Sequence, residues 1–211
     1  MNEMKNETTG KLIVFEGIDG AGKTTQIRLL QDYLVKKGRK VVCTAEPTEL
    51  PFGKQLRRAL SGEDPKTPCE LAALFTLDRI SHNMQPETGI HALLENGNDI
   101  ICDRYFYSTL AYQGSETDAD WVRGMNLNCP EIRHPNLCIF LDLSPEESMA
   151  RINSRHEAHE IYETPERLAL IRAKFHSVLQ TFDPRTIRIV DASGTIEEVH
   201  TEICKIIDPI L

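Results

Sequence analysis

No apolar run in this chain approaches the about 20 residues that cross a bilayer as a helix, so a membrane-spanning segment is not expected. The first ten residues, MNEMKNETTG, lack the apolar stretch of a secretory signal and read as a short polar tail. Positive charge is also in deficit: 24 Lys and Arg stand against 32 Asp and Glu, a formal net charge of −8. A field of that sign repels nucleic acid and anionic membrane, so neither is an expected partner, and any anionic ligand needs a local positive site. The six cysteines (Cys43, Cys69, Cys102, Cys129, Cys138 and Cys204) form no C-x-x-C pair. Three of them lie inside apolar runs, which argues for buried free thiols in a reducing, cytoplasmic setting and against a disulfide or zinc framework. Internal repeats, low-complexity tracts and linker-like stretches are absent. A chain of 211 residues is long enough for one sizeable core, so residues 11–211 are expected to form one domain behind the tail 1–10.

What is present is a regular alternation. Five short Val/Ile-rich runs recur: KLIVFE (11–16), KVVCTA (40–45), DIICD (99–103), LCIFLDL (137–143) and TIRIVDA (186–192). Near-continuous apolar strands of this kind are buried on both faces, as in a parallel sheet. Segments with helical spacing separate them. TTQIRLLQDYLVKKG is predicted to place Ile27, Leu30, Leu34 and Val35 on one face and to stop at Gly38. The stretch 68–97 reads as a long helix bent or broken at Pro86. Ser144-Pro145 and Thr164-Pro165 each pair an N-cap with a first-turn proline, and TIEEVHTEICKII closes the chain. Strands alternating with helices predict an open α/β sheet.

One loop carries a specific chemistry. Residues 17–24, GIDGAGKT, fit G-x-x-x-x-G-K-[ST] in full, after a strand and before a helix. Gly17, Gly20 and Gly22 let the backbone wrap an anion, because no Cβ blocks the required dihedrals. The loop N–H groups and the positive end of the helix then point at phosphates. Lys23 is placed to reach the β- and γ-phosphates of a nucleoside triphosphate, and Thr24 to ligate Mg²⁺.

In an open α/β sheet a ligand binds beyond the carboxyl ends of the strands. Glu16, Asp19 and Asp103 stand there, and such carboxylates hold Mg²⁺ directly or through water. Arg104, next to Asp103, is suited to a bidentate grip on a phosphate. Phe75 and Arg79, four apart on a helix, share one face. A stacking aromatic beside a guanidinium would make a nucleotide acceptor site; taken singly, Phe75 also reads as ordinary core and Arg79 as a surface charge.

Together these segments resemble the thymidylate kinase family. FEGIDGAGKTTQ, the EP after the second strand, ALFTLDR, DRYFYSTLAYQG and FLDLSPEESMARINSR match in order and spacing, from Lys11 to the end. DRY…S…AYQG is much more specific than the phosphate loop alone. The resemblance implies a P-loop NTPase-type sheet of five parallel strands flanked by helices on both faces, usually in a homodimer. It implies transfer of the γ-phosphate of ATP–Mg²⁺ to a deoxynucleoside monophosphate, dTMP above all. ATP would be held by Gly17, Gly20, Ala21, Gly22, Lys23, Thr24 and Thr25, and the metal by Thr24 with Asp103 in support. Phe75 would stack on thymine, Arg79 would contact the base, and Arg104 would hold the acceptor phosphate. Tyr112 would pack under the sugar, Asp19 would sit near the acceptor, and Glu46, Pro47, Ser108 and Gln113 would complete that site. The family takes its catalytic arginine from the phosphate loop or from a lid. Here the loop position is Gly20, so the charge is expected from a lid around 150–165, through Arg151 or Arg155.

Two departures stand out. The family usually has REP after the second strand; this chain has Ala45-Glu46-Pro47, with Arg57 and Arg58 as possible replacements. The lid usually carries a further arginine before an aromatic or aliphatic residue and Glu; HEIYE has none between Arg155 and Arg167. Each lost charge-assisted contact costs about 1.5–3 kcal/mol. Another deoxynucleotide or a deoxynucleoside as acceptor, or a catalytically weak nucleotide-binding paralogue, therefore stay open as alternatives. A guanine-reading N-K-x-D segment is missing, which argues against a nucleotide switch. His156 and His159 are one residue too close for H-E-x-x-H and carry no metal assignment.

Overall fold

The structure, a computed structural model, describes residues 9–154 and 164–211. The five apolar runs are the five strands: β1 Leu12–Glu16, β2 Val41–Ala45, β3 Asp99–Asp103, β4 Leu137–Asp142 and β5 Ile187–Asp191. They pair in parallel throughout, in the order β2-β3-β1-β4-β5. The helices are α1 Lys23–Lys36, α2 Pro51–Leu60, α3 Pro68–Met84, α4 Ile90–Glu95, α5 Phe106–Glu116, α6 Ala119–Leu127, α7 Pro145–Asn153, α8 Pro165–Leu179 and α9 Ile196–Ile207. They cover both faces of the sheet, consistent with the P-loop NTPase fold.

Alternation of side chains along each strand makes two cores. Leu12, Val14, Ile100, Cys102, Cys138 and Phe140 face one way, toward α5 and α8. Ile13, Phe15, Ile101, Ile139 and Leu141 face the other, toward α1 and α9. Each such burial contributes roughly 1.5–3 kcal/mol. After β1 the chain turns toward β2, whereas after β3 it crosses to β4 on the far side of β1. The carboxyl end of β1 therefore lies at the topological switch point, where open sheets bind ligands.

Burial on both faces holds for β1 and, save its last residue, for β3 and β4. It fails for β2 and β5, because an edge strand has a neighbour on one side only. Cys43 is exposed, and Ile189 is 49% exposed. The expectation of three buried thiols is corrected likewise: Cys102 and Cys138 are buried, and Cys43 and Cys69 are exposed. On α1, Ile27, Leu30 and Leu34 are buried, but Val35, one 100° step beyond Leu34, is 54% exposed. Gly38 does close α1, with φ of 80°. The long segment is broken at Pro86 into α3 and α4, and α3 opens on a capping box between Thr67 and Glu70. Ser144 and Thr164 are the N-caps of α7 and α8, as their spacing predicts. Among the described residues, no helix is long and apolar enough to cross a membrane.

Candidate active site

The phosphate loop joins β1 to α1. Gly20 has φ of 80° and Gly22 φ of 92°, a region that side chains with a Cβ rarely adopt. Lys23 opens α1 and folds back over the loop, its Nζ donating to the Gly17 carbonyl (3.2 Å) and the Ile18 carbonyl (3.3 Å). Burial and the nearby Arg104 cation pull Lys23 below the usual lysine range, against the opposing pull of Asp103, Asp19 and Glu16. Thr24 is exposed in the first turn of α1, open to a ligand at the loop.

Arg104 follows β3 with φ of 65°, a strained conformation for a residue with a side chain. Its Nη1 donates to the Gly17 carbonyl and to Ser108 Oγ, both at 3.1 Å. Its Nη2 donates to the Asp19 carboxylate, and its guanidinium lies 5.6 Å from the centre of the Tyr112 ring. The structure thus brings Asp19, Arg104, Ser108 and Tyr112 together at the loop. Gln113 is buried one residue beyond Tyr112 on α5.

Glu16 behaves differently from the sequence expectation. It is fully buried, and its carboxylate accepts from the backbone N–H of Tyr105 (2.9 Å) and Ser108 (3.1 Å) and from Ser108 Oγ (2.6 Å). It therefore satisfies the orphan donors at the start of α5 rather than facing a cation at the loop. Burial raises its pKa to about 7, although Arg104 and these donors oppose the rise.

Asp103 fits a metal role. Its Oδ1 is buried and has no hydrogen-bond partner among the described residues. A buried carboxylate oxygen left unpaired is costly, so an incoming cation would relieve it. Among the described residues, no group of three or more His, Cys, Asp or Glu forms a metal cage. Mg²⁺ does not require one, since one or two protein ligands with substrate phosphates and water suffice.

The acceptor-side residues lie on α3 and the loop after β2. Phe75 is partly buried against Leu56, Ala59 and Leu71. Arg79 is no surface charge: it is 1% exposed, and its Nε and Nη2 both donate to Glu46 Oε2, at 2.8 and 2.6 Å. It also donates to Asn126 and Thr109. Removing one partner of a buried pair of this kind costs about 3–5 kcal/mol. Glu46 and Pro47 begin the loop after β2, and Asp78 ties that loop to α3 by accepting from the Thr48 N–H (2.8 Å) and hydroxyl. A cavity of about 390 Å³ opens beside this loop, lined by Thr44, Ala45, Pro47, Thr48 and His82 among others.

Ala45 is exposed and brings no charge. Arg57 donates to the Pro47 carbonyl (2.8 Å) and the Thr48 carbonyl (2.7 Å) and pairs with Glu49 of the same loop; Arg58 pairs with Glu63. On the opposite side, α7 rests on the phosphate loop. Ser148 is fully buried and donates to the Asp19 carbonyl. Arg151, one turn on, donates to the Ala192 carbonyl at 2.9 Å and lies near Gly22. Arg155 and the His156–His159 stretch fall outside the described residues.

Sequence reasoning missed Asp78, His82, Asn126 and Ser148. The first two share a trace in the sequence: Asp78 and Arg79 stand three and four residues from Phe75, and four and three from His82, on one side of α3.

A family model described as thymidylate kinase matches residues 15–203. The chain belongs to the thymidylate kinase family. A probable thymidylate kinase of Methanococcus aeolicus is 40% identical over 203 residues, covering 92% of this chain and 94% of that protein. A probable thymidylate kinase of Thermococcus onnurineus is 39% identical over 209 residues, covering 93% and 96%. The solved structure of thymidylate kinase from Candida albicans superposes with a TM-score of 0.79 at 28% identity, covering 95% of this chain and 92% of that one. Its description ascribes broad substrate specificity to that enzyme. Membership in the thymidylate kinase family supports phosphotransferase activity for this chain.

Proposed function

We propose that this chain transfers the γ-phosphoryl group of ATP to dTMP, giving dTDP. One observation carries the reading. Lys23 Nζ, from the start of α1, and Arg104 Nη1, from the residue after β3, reach the same Gly17 carbonyl oxygen, at 3.2 and 3.1 Å. A cation of the triphosphate loop and a cation of the acceptor side thus share one oxygen, at the point where donor and acceptor phosphates would meet. Phosphoryl transfer has a loose transition state and chiefly needs positioning and positive charge.

The residues divide this work. Lys23 and the loop N–H groups hold the β- and γ-phosphates, while Arg104 leaves Asp19 to hold the acceptor phosphate. Phe75 and Arg79 present the base-binding face, and Tyr112 underlies the sugar. Arg151 on α7, or Arg155 outside the described residues, would supply the further charge, and exclusion of water would let transfer outrun hydrolysis. Thr24 and Asp103 would hold Mg²⁺. When bound, the ion neutralises charge on the phosphate oxygens.

The uncharged Ala45 supports a second reading, in which another deoxynucleotide or a deoxynucleoside is preferred. A coupled ADP-release assay over dTMP, dUMP, dCMP, dGMP, AMP and thymidine separates the two. Fast turnover with dTMP alone supports the proposal; preference for another acceptor replaces it. Loss of turnover in Lys23→Ala would confirm that the chemistry is that of the loop.

A homodimer is part of the proposal. Leu77 and Met84, seven residues apart on α3, are 39% and 48% exposed, an apolar stripe that a second copy would cover. A monomer in light scattering would remove this part.

A further inference from the structure

His82 is 7% exposed and has no part in the chemistry proposed above. Its Nδ1 lies 3.0 Å from Glu46 Oε1, and its Nε2 lies 2.7 Å from Thr44 Oγ1. A carboxylate only accepts, so Nδ1 carries a hydrogen toward Glu46. In the neutral ring Nε2 is then an acceptor, and the Thr44 hydroxyl donates to it. The ring is thereby set from both ends.

The consequence appears at Glu46. Arg79 donates twice, from Nε and Nη2, but both bonds fall on the single oxygen Oε2. An arginine and a carboxylate left to themselves favour the fork-to-fork arrangement, with one N–H on each oxygen. Here the second oxygen is occupied by His82. Without His82, Oε1 is free to take Nη2, and the guanidinium turns away from Asn126 and Thr109, which it also contacts.

We infer that His82 is a positioning residue which, by holding the second oxygen of Glu46, fixes the orientation in which Arg79 meets the acceptor base. The Glu46 carboxylate, which only accepts, selects the ring tautomer that does so, and the Thr44 hydroxyl turns to donate to Nε2. The orientation is a property of the free protein; its use in recognising the base rests on the acceptor site proposed above.

Three variants test this in the full chain. His82→Leu removes the donor, His82→Asn keeps an N–H near the position of Nδ1, and Thr44→Val removes the hydroxyl at nearly constant shape. Two readouts are used: the Arg79 Nε–H resonance in the free protein, and equilibrium binding of dTMP and of ATP by calorimetry. In His82→Leu the Arg79 resonance should move, and dTMP should bind at least about tenfold more weakly, the scale of one hydrogen bond to a charged group, while ATP affinity stays within about twofold. His82→Asn should recover most of both. Thr44→Val should keep the His82 Nδ1–H pattern and leave the Arg79 resonance in place, because Glu46 still sets the ring. An unmoved Arg79 resonance with unchanged dTMP affinity in His82→Leu, or equal losses in Leu and Asn, overturns the inference. Should the wild type bind no dTMP while the Arg79 resonance still answers to His82→Leu and His82→Asn as stated, the acceptor assignment fails and the positioning role stands.

Discussion

The carbonyl oxygen of Ser148 would lie 2.8 Å from a Cβ placed on Gly20, with Ser148 Oγ at 3.2 Å. Helix α7 is thus packed so closely on the phosphate loop that position 20 has no room for a side chain. Its φ of 80° adds a backbone cost of about 1–2 kcal/mol for any residue with a Cβ. Position 20 therefore has no space for an arginine, and Arg151 of α7 lies beside Gly22 on the same loop.

Gly20→Ala should therefore destabilise the protein by at least about 1–2 kcal/mol, measured by urea unfolding, and Gly20→Arg should do so more severely. Wild-type stability in Gly20→Arg would contradict the contact with Ser148.

Arg104→Ala should lower kcat/KM by at least about a hundredfold through lost acceptor binding and orientation. Arg104→Lys should recover little of this, because a point charge does not reproduce the planar fork that reaches Gly17, Ser108 and Asp19. Near-normal steady-state kinetics in Arg104→Ala would dismantle the site as described.

Glu16 should make stability fall as pH rises. Its pKa goes from 4.5 to about 7 on folding, because burial disfavours the charged form. Between these values the folded state holds a proton that the unfolded state lacks, so the contribution is full below pH about 4.5 and lost by about 7. One proton corresponds to a slope of about 1.4 kcal/mol per pH unit. Comparison with Glu16→Gln isolates this slope, since Gln does not titrate. Parallel stability–pH curves for the two proteins would refute the burial of an ionisable Glu16.

Asp103→Asn should raise the Mg²⁺ concentration for half-maximal rate by about tenfold or more, the scale of one charge-assisted contact. The reason is the buried Oδ1 of Asp103, which has no hydrogen-bond partner among the described residues. A Mg²⁺ titration of the initial rate decides it; an unchanged midpoint would remove Asp103 from the metal site.

Much of the fold was legible because its signals are local. The loop 17–24 carries its chemistry in its own glycines, Lys23 and Thr24. Ser144 and Thr164 cap the helices that follow them, and Pro86 breaks the segment that contains it. Phe75 and Arg79 were paired by helical spacing. Less legible was what each polar group touches. Arg79, taken singly, read as a surface charge, but it is buried and engaged by Glu46, 33 positions away. Glu16 read as a metal-side carboxylate, but it caps α5, 89 positions on. No spacing rule reaches across such separations.

The sequence by itself determined the strands, the starts of α7 and α8 and the phosphate cradle, because each follows from hydrophobic period, capping or glycine content within about ten neighbouring residues. Tertiary structure alone decided the strand order, and with it that β2 and β5 are edges, where all but Val190 of the apolar residues are at least partly exposed. It alone brought Lys23 and Arg104 to one carbonyl oxygen, set Ser148 against Gly20, and joined half-buried Thr44 to the buried His82, Glu46 and Arg79 in one hydrogen-bonded chain. Those contacts arise because a parallel sheet gathers the ends of distant strands on one edge, where buried charges must find partners or remain unsatisfied.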